Sequence, residues 1–210
     1  MTDASCELCG GRGWEVRLNG GAGTATICTC RRSISIRDRL LAAGVWPAYS
    51  DCRRDNWDGP WPEDRLVGFR RDFNTLALLG GTGVGKTHLG VALLAEAVAR
   101  GEVVLWRDSR DAIERMKDES AGELKRLQGG PRLLMLDDVG AELAGGWGRA
   151  LSHVVRFRDG NHLPTIITSN LSLDTLDTLE PGLASRLARG VLPLDGLDRR
   201  TAPKRSGRER

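Results

Sequence analysis

The stretch Leu76–Leu94, LALLGGTGVGKTHLGVALL, decides the fold. A short apolar run breaks at Gly80, Gly81, Gly83 and Gly85, meets the pair Lys86 and Thr87, and resumes as an almost uncharged helical run. Gly80, Gly81, Thr82, Gly83, Val84, Gly85, Lys86 and Thr87 fit G-x-x-x-x-G-K-[ST], the Walker A phosphate loop. Glycines let the backbone wrap close to phosphate with its N–H groups pointing inward, and the helix that follows aims its positive end at the same point. The loop thus predicts ATP as ligand, with Lys86 on the β- and γ-phosphates and Thr87 on a Mg2+ ion.

Working outward, strands and helices alternate from Phe73 onward. FNTLALLG, EVVLWR, RLLMLDDVG, LPTIITSN and RGVLPLD read as strands; 87–100, 109–127 and about 146–159 read as helices, the second of them long enough to be a pair. This alternation predicts an α/β fold, a P-loop core with a mainly parallel sheet covered on both faces.

A nucleotide site needs a metal-binding acid at the end of a neighbouring strand. LLMLDDVG supplies Asp137 to order Mg2+ through Thr87 and water, and Asp138 to polarise the attacking water. Asp138 is shorter than a glutamate, which predicts slow hydrolysis. Asn170, after the strand PTIITSN, is placed to orient the lytic water from the far side.

Upstream, Cys6, Cys9, Cys28 and Cys30 crowd the first 30 residues, with Cys52 alone elsewhere. The spacing C-x2-C-x18-C-x-C fits two knuckles of a four-thiolate Zn2+ site; an iron–sulfur cluster and unliganded thiols are the alternatives. A segment so poor in apolar residues needs a metal to supply its folding energy. LNGGAGTA in its middle reads as the tip of a hairpin. Residues 1–32 are therefore expected to form a zinc-binding module, 33–72 a connector of one short helix and many aromatics, 73–200 the ATPase core, and 201–210 a basic flexible tail. The end of the chain, RRTAPKRSGRER, carries six basic residues against one glutamate, enough to touch phosphate backbones, although a merely solvated tail has the same composition. No apolar run is long enough for a membrane span and the start lacks a leader pattern, which predicts a cytoplasmic protein without membrane contact.

GVGKTHL, LLMLDDVG and LPTIITSN, in that order and spacing, resemble the DnaC/IstB-like branch of the AAA+ ATPases, over roughly residues 45–200. His88, after the loop threonine, belongs to that likeness and joins the expected nucleotide-site residues. The resemblance implies an arginine finger at Arg186, reaching a neighbouring subunit's nucleotide, and a sensor 2 arginine at Arg200. Asp198 stands where the family's sensor 2 motif has serine, so Arg199 is the alternative. It also implies a core without a full helical lid, working as a homo-oligomer or mixed ATPase assembly. CELCGGRG looks like the knuckle of DnaJ-type zinc modules. Modules of this kind in similar helicase loaders dock on the helicase or on single-stranded DNA. Trp14, Arg12, Arg17, Arg31 and Arg32 would suit such contacts, or Trp14 would pack on the metal site and the arginines be solvated. The function so implied is loading of a replicative helicase on single-stranded DNA. An IstB-type transposition helper acting on duplex DNA and an adaptor with vestigial hydrolysis are the competing readings.

Overall fold

The structure, a computed structural model, describes residue 9 and residues 14–19, 22–28, 35–119, 121–144, 148–196 and 198–199. Strands β1 (Trp14–Asn19) and β2 (Ala22–Ile27) pair antiparallel, Trp14 opposite Ile27 and Asn19 opposite Ala22. Cys9 and Cys28, which flank the strands, are both buried.

The connector opens with helix α1 (Ile36–Ala42), capped by Ser35 Oγ accepting from the Asp38 N–H, and stopped at Gly44, whose φ is +99°. A four-residue helix, α2 (Glu63–Leu66), follows. The core then runs β3 (Thr75–Leu79), α3 (Lys86–Ala99), β4 (Val104–Asp108), α4 (Ser109–Glu119), α5 (Ala121–Gly129), β5 (Leu133–Asp137) and α6 (Gly148–Gly160). It ends with β6 (Thr165–Ser169), α7 (Leu173–Leu179), α8 (Pro181–Leu187) and β7 (Val191–Pro193).

All five core strands pair in parallel, in the order β4-β5-β6-β3-β7. Both faces are covered, because side chains alternate along each strand. Leu76, Leu78, Leu133, Met135 and Ile166 pack on one side with α3, α1, Phe73 and the connector aromatics Tyr49, Trp57, Trp61 and Phe69. Ala77, Leu79, Leu134, Leu136 and Ile167 pack on the other with side chains from α4 to α8. Helix α3 lies close to the sheet at Gly90, where a Cβ would meet Met135 Cε at 2.5 Å. The connector thus shares a core with the phosphate-loop helix, and its backbone is tied to the edge strand β4 by Trp106 N–H donating to Ala43 O at 3.0 Å.

Two differences from the sequence reading have physical causes. Strand β4 begins at Val104 because Glu102 is drawn into an ion pair with Arg70, 2.7 Å, in the turn after α3. The residues after Asn170 hold two further helices, α7 capped by Ser172 Oγ accepting from Thr175 N–H, and α8 entered at Pro181. Among the described residues no helix is long and apolar enough to cross a membrane.

Candidate nucleotide site

The loop after β3 bends through three glycines with positive φ: Gly80 at +159°, Gly83 at +78° and Gly85 at +103°. At Gly83 and Gly85 an L side chain would also collide, with the Asp198 carboxylate and the Trp57 ring respectively. The turn therefore needs glycine for backbone and for space. It delivers Lys86 at the first position of α3, buried to 7% exposure, with its ammonium curled back into the loop. Nζ donates to Gly80 O at 2.8 Å, Gly81 O at 2.7 Å and Asn170 Oδ1 at 2.7 Å.

Thr87, one residue on, donates from Oγ1 to both oxygens of Asp137, at 3.1 and 3.2 Å. Asp137 ends β5 and is 5% exposed. Burial pushes its carboxyl up to about 6, against the opposing pull of hydrogen bonds from Thr168 and Thr87. A carboxylate that costly to ionise is one that a divalent cation would stabilise. Asp138 follows in a left-handed conformation, φ +56°, which is rare for a residue with a side chain. Its carboxylate accepts from Asn170 Nδ2 at 2.8 Å. Asn170 thus bridges Lys86 and Asp138 from the end of β6.

Thr168 is a site residue that the sequence reading passed over. Its hydroxyl accepts from Asp138 N–H at 2.8 Å and donates to Asp137 Oδ1 at 2.6 Å, which fixes the two acids relative to each other. The signal was available: Thr168 lies near the end of β6, two residues before Asn170, which directly follows the strand, and that end adjoins Asp137. Ser109 adds a second hold on the backbone, donating to Asp138 O at 2.9 Å.

The connector reaches the loop through His88, whose Nε2 lies 3.2 Å from Arg53 O and whose ring stands edge-on to Trp57 at 5.5 Å. Burial holds the His88 imidazole below its ordinary range, and the Arg199 charge adds to the effect. Arg199 itself crosses the loop, its N–H donating to Gly83 O at 3.0 Å. Arg200 lies outside the described residues. Arg186 is half-buried on α8, where its Nη1 donates to Gly182 O at 2.6 Å, and among the described residues it makes no hydrogen bond to the loop.

The donor set fits Mg2+–ATP. It offers a glycine loop at a helix N-terminus, a buried ammonium held by neutral oxygens, a hydroxyl beside a buried carboxylate, and a second acid beside an amide. For zinc, Cys9 and Cys28 are the two described members of the four-cysteine set, while Cys6 and Cys30 lie outside the described residues. Among the described residues no cluster of three or more His, Cys, Asp or Glu side chains is arranged to hold a metal ion.

Comparison with known proteins agrees with this geometry. A family model described as IstB-like ATP binding protein matches residues 64–187. The replicative helicase loader DnaI of Bacillus subtilis is 33% identical over 108 residues, which cover 48% of this chain and 34% of that protein. An insertion-sequence ATP-binding protein of Geobacillus stearothermophilus is 31% identical over 102 residues, 46% of this chain and 40% of that one. The chain thus spans between 34 and 40% of the length of these two relatives. The crystal structure of the DnaC helicase loader superposes with a TM-score of 0.53 at 29% identity, covering 71% of this chain and 100% of that one. With the family match over residues 64–187 and the parallel five-stranded sheet beneath the glycine loop, the chain belongs to the IstB-like ATP binding protein family, with an AAA+ P-loop α/β core.

Proposed function

We propose that the chain is an ATPase that loads or remodels a replicative helicase on single-stranded DNA. One observation supports the ATPase part above the rest: Lys86, Thr87, Asp137, Asp138 and Asn170 converge at the ends of three adjacent strands within direct hydrogen-bond reach. In this reading Lys86 holds the β- and γ-phosphates, while Thr87 and Asp137 hold Mg2+. The ion neutralises charge on the phosphates. Asp138 takes up the proton of the attacking water, and Asn170, already hydrogen-bonded to Asp138, orients that water. In this reading hydrolysis is slow in the single chain, because Asp138 is shorter than a glutamate and the arginine finger comes from a neighbouring subunit. Arg186 completes a neighbour's site in an oligomer or mixed assembly.

The four cysteines bind zinc, and the burial of Cys9 and Cys28 supports the site. That module docks on the helicase or on single-stranded DNA, and the protein works in the cytoplasm. Likeness to a replicative helicase loader supports the partner. The insertion-sequence relative supports a second reading, a transposition helper that acts on duplex DNA.

The deciding experiment is capture with the full chain and ATP, offering the host's replicative helicase alongside single-stranded and duplex DNA. Retention of the helicase, with single strands preferred, supports the loader. Duplex preference without helicase capture favours the helper, and neither would leave a nucleotide-dependent adaptor.

A further inference from the structure

Arg199 carries a charge that the described structure leaves without an ion pair. Its backbone is pinned across the phosphate loop by the N–H to Gly83 O bond, and its guanidinium lies over the Trp57 ring, 4.3 Å from the centroid. The same indole is pressed against the loop: a Cβ at Gly85 would meet Trp57 Cζ3 at 2.8 Å and Arg199 Nε at 3.6 Å. Trp57 is itself fixed, by Nε1–H donation to Pro60 O at 3.2 Å and by the edge contact with His88. Without the ring, a long flexible side chain would spread over many rotamers in solvent. With it, a cation stands beside a loop shaped for anions.

We propose that Trp57 is a positioning residue of the nucleotide site: its indole face holds the Arg199 guanidinium beside the Gly80–Thr87 loop, where the phosphates of the nucleotide engage it. The inference rests on the ATP reading above. Arg199 is the alternative sensor 2 position that the family resemblance implies; what the inference adds is that the aromatic connector holds its guanidinium in place. On engaging phosphate, the guanidinium shifts relative to the indole, so the Trp57 emission reports the event.

The test measures ATP affinity of the full chain by equilibrium dialysis. Arg199→Gln should weaken ATP by about tenfold, the worth of a charge-assisted hydrogen bond. Trp57→Leu should weaken it by about three- to tenfold, the range of a cation–π contact, and Trp57→Phe, which keeps a ring face, by no more than about twofold. Because the tryptophan acts through the arginine, the double variant Trp57→Leu/Arg199→Gln should bind about as well as Arg199→Gln alone. A packing role for Trp57 would give neither the ring rescue nor this non-additivity. Losses that multiply in the double variant overturn the proposal, as does Trp57→Phe as weak as Trp57→Leu. Should Trp57→Leu fail to fold, emission decides. ATP should change the tryptophan emission of the wild type but not of Arg199→Gln or Trp57→Phe, and a full change in Arg199→Gln overturns the pairing. Failure of the wild type to bind ATP would instead overturn the ATP reading itself.

Discussion

Two buried cations sit at opposite ends of the sheet, and both are held by carbonyl oxygens. Lys86, at the C-terminal ends of the strands, donates to Gly80 O and Gly81 O. Arg158, on α6, is fully buried and donates to Leu127 O at 3.1 Å, Gln128 O at 3.0 Å, Pro131 O at 3.2 Å, Pro164 O at 2.8 Å and Thr165 Oγ1 at 2.9 Å. Burial pulls the Arg158 guanidinium down to about 10. Burial alone therefore does not mark function. Arg158 joins the last turn of α5 and the loop after it to the start of β6 with a fixed set of partners, which makes it a structural tie. Lys86 opens α3 where the glycine loop ends, and its third partner, Asn170, also touches Asp138. A phosphate can replace those neutral oxygens; nothing comparable can enter around Arg158.

The comparison is broken most readily at Asp138. Asp138→Asn should lower ATP hydrolysis at least about 100-fold while leaving ATP affinity within a few-fold, as expected for loss of a general base. A steady-state assay beside a binding isotherm reads both, and equal loss of the two would contradict the role. At the other end, Arg158→Met leaves several buried acceptors without a donor. It should destabilise the fold by about 3 kcal/mol, lowering the melting temperature by roughly 6–12 °C, with ATP affinity unchanged in the folded protein.

Asp137 should show the opposite sign of stability effect. Its folded pKa of about 6 lies above the ordinary carboxylate value of 3.8, so its ionised form costs the nucleotide-free fold stability at neutral pH. Asp137→Asn should then raise the stability of the empty chain, by on the order of 2 kcal/mol, while abolishing the Mg2+ dependence of nucleotide binding. Melting with and without Mg2+–ATP separates these, and a drop in stability of the empty chain would contradict the burial argument. The same shift gives a smaller pH effect. The contribution of this group to stability should rise as pH falls from about 6 toward 3.8, because there the folded chain binds the proton more tightly than the unfolded one. Mg2+-dependent ATP affinity should weaken over the same fall, since the metal needs the carboxylate. A urea titration of wild type against Asp137→Asn across that window isolates the group.

How much of this was legible in the sequence depended on how local the physics is. The phosphate loop was legible because its glycines, lysine and threonine are contiguous and each is required by backbone geometry. Asp137, Asp138 and Asn170 were legible because strand ends place residues by rule. Thr168 was not singled out, since a threonine in an apolar strand reads as ordinary β-former until the neighbouring strand brings Asp137 to its hydroxyl. Arg158 was invisible for the same kind of reason: an arginine on a helix reads as solvated, and only the packing of α6 against β6 buries it. Trp57 and Arg199 meet from opposite ends of the core, a contact no short-range pattern encodes. Helices α7 and α8 did carry local signals, Ser172 as a cap and Pro181 at a first turn, but they are too short for a clear apolar period.

The Lys86 end of the sheet should bind nucleotide while the Arg158 end takes no part. Calorimetric titration of Mg2+–ATP into the full chain, the Lys86→Ala variant and the Arg158→Met variant, each shown folded by its melting curve, measures this. The wild type and Arg158→Met should bind with the same affinity, and Lys86→Ala should lose at least about 100-fold, the effect of removing a charged group that contacts phosphate directly. Equal affinity in Lys86→Ala and the wild type would contradict it.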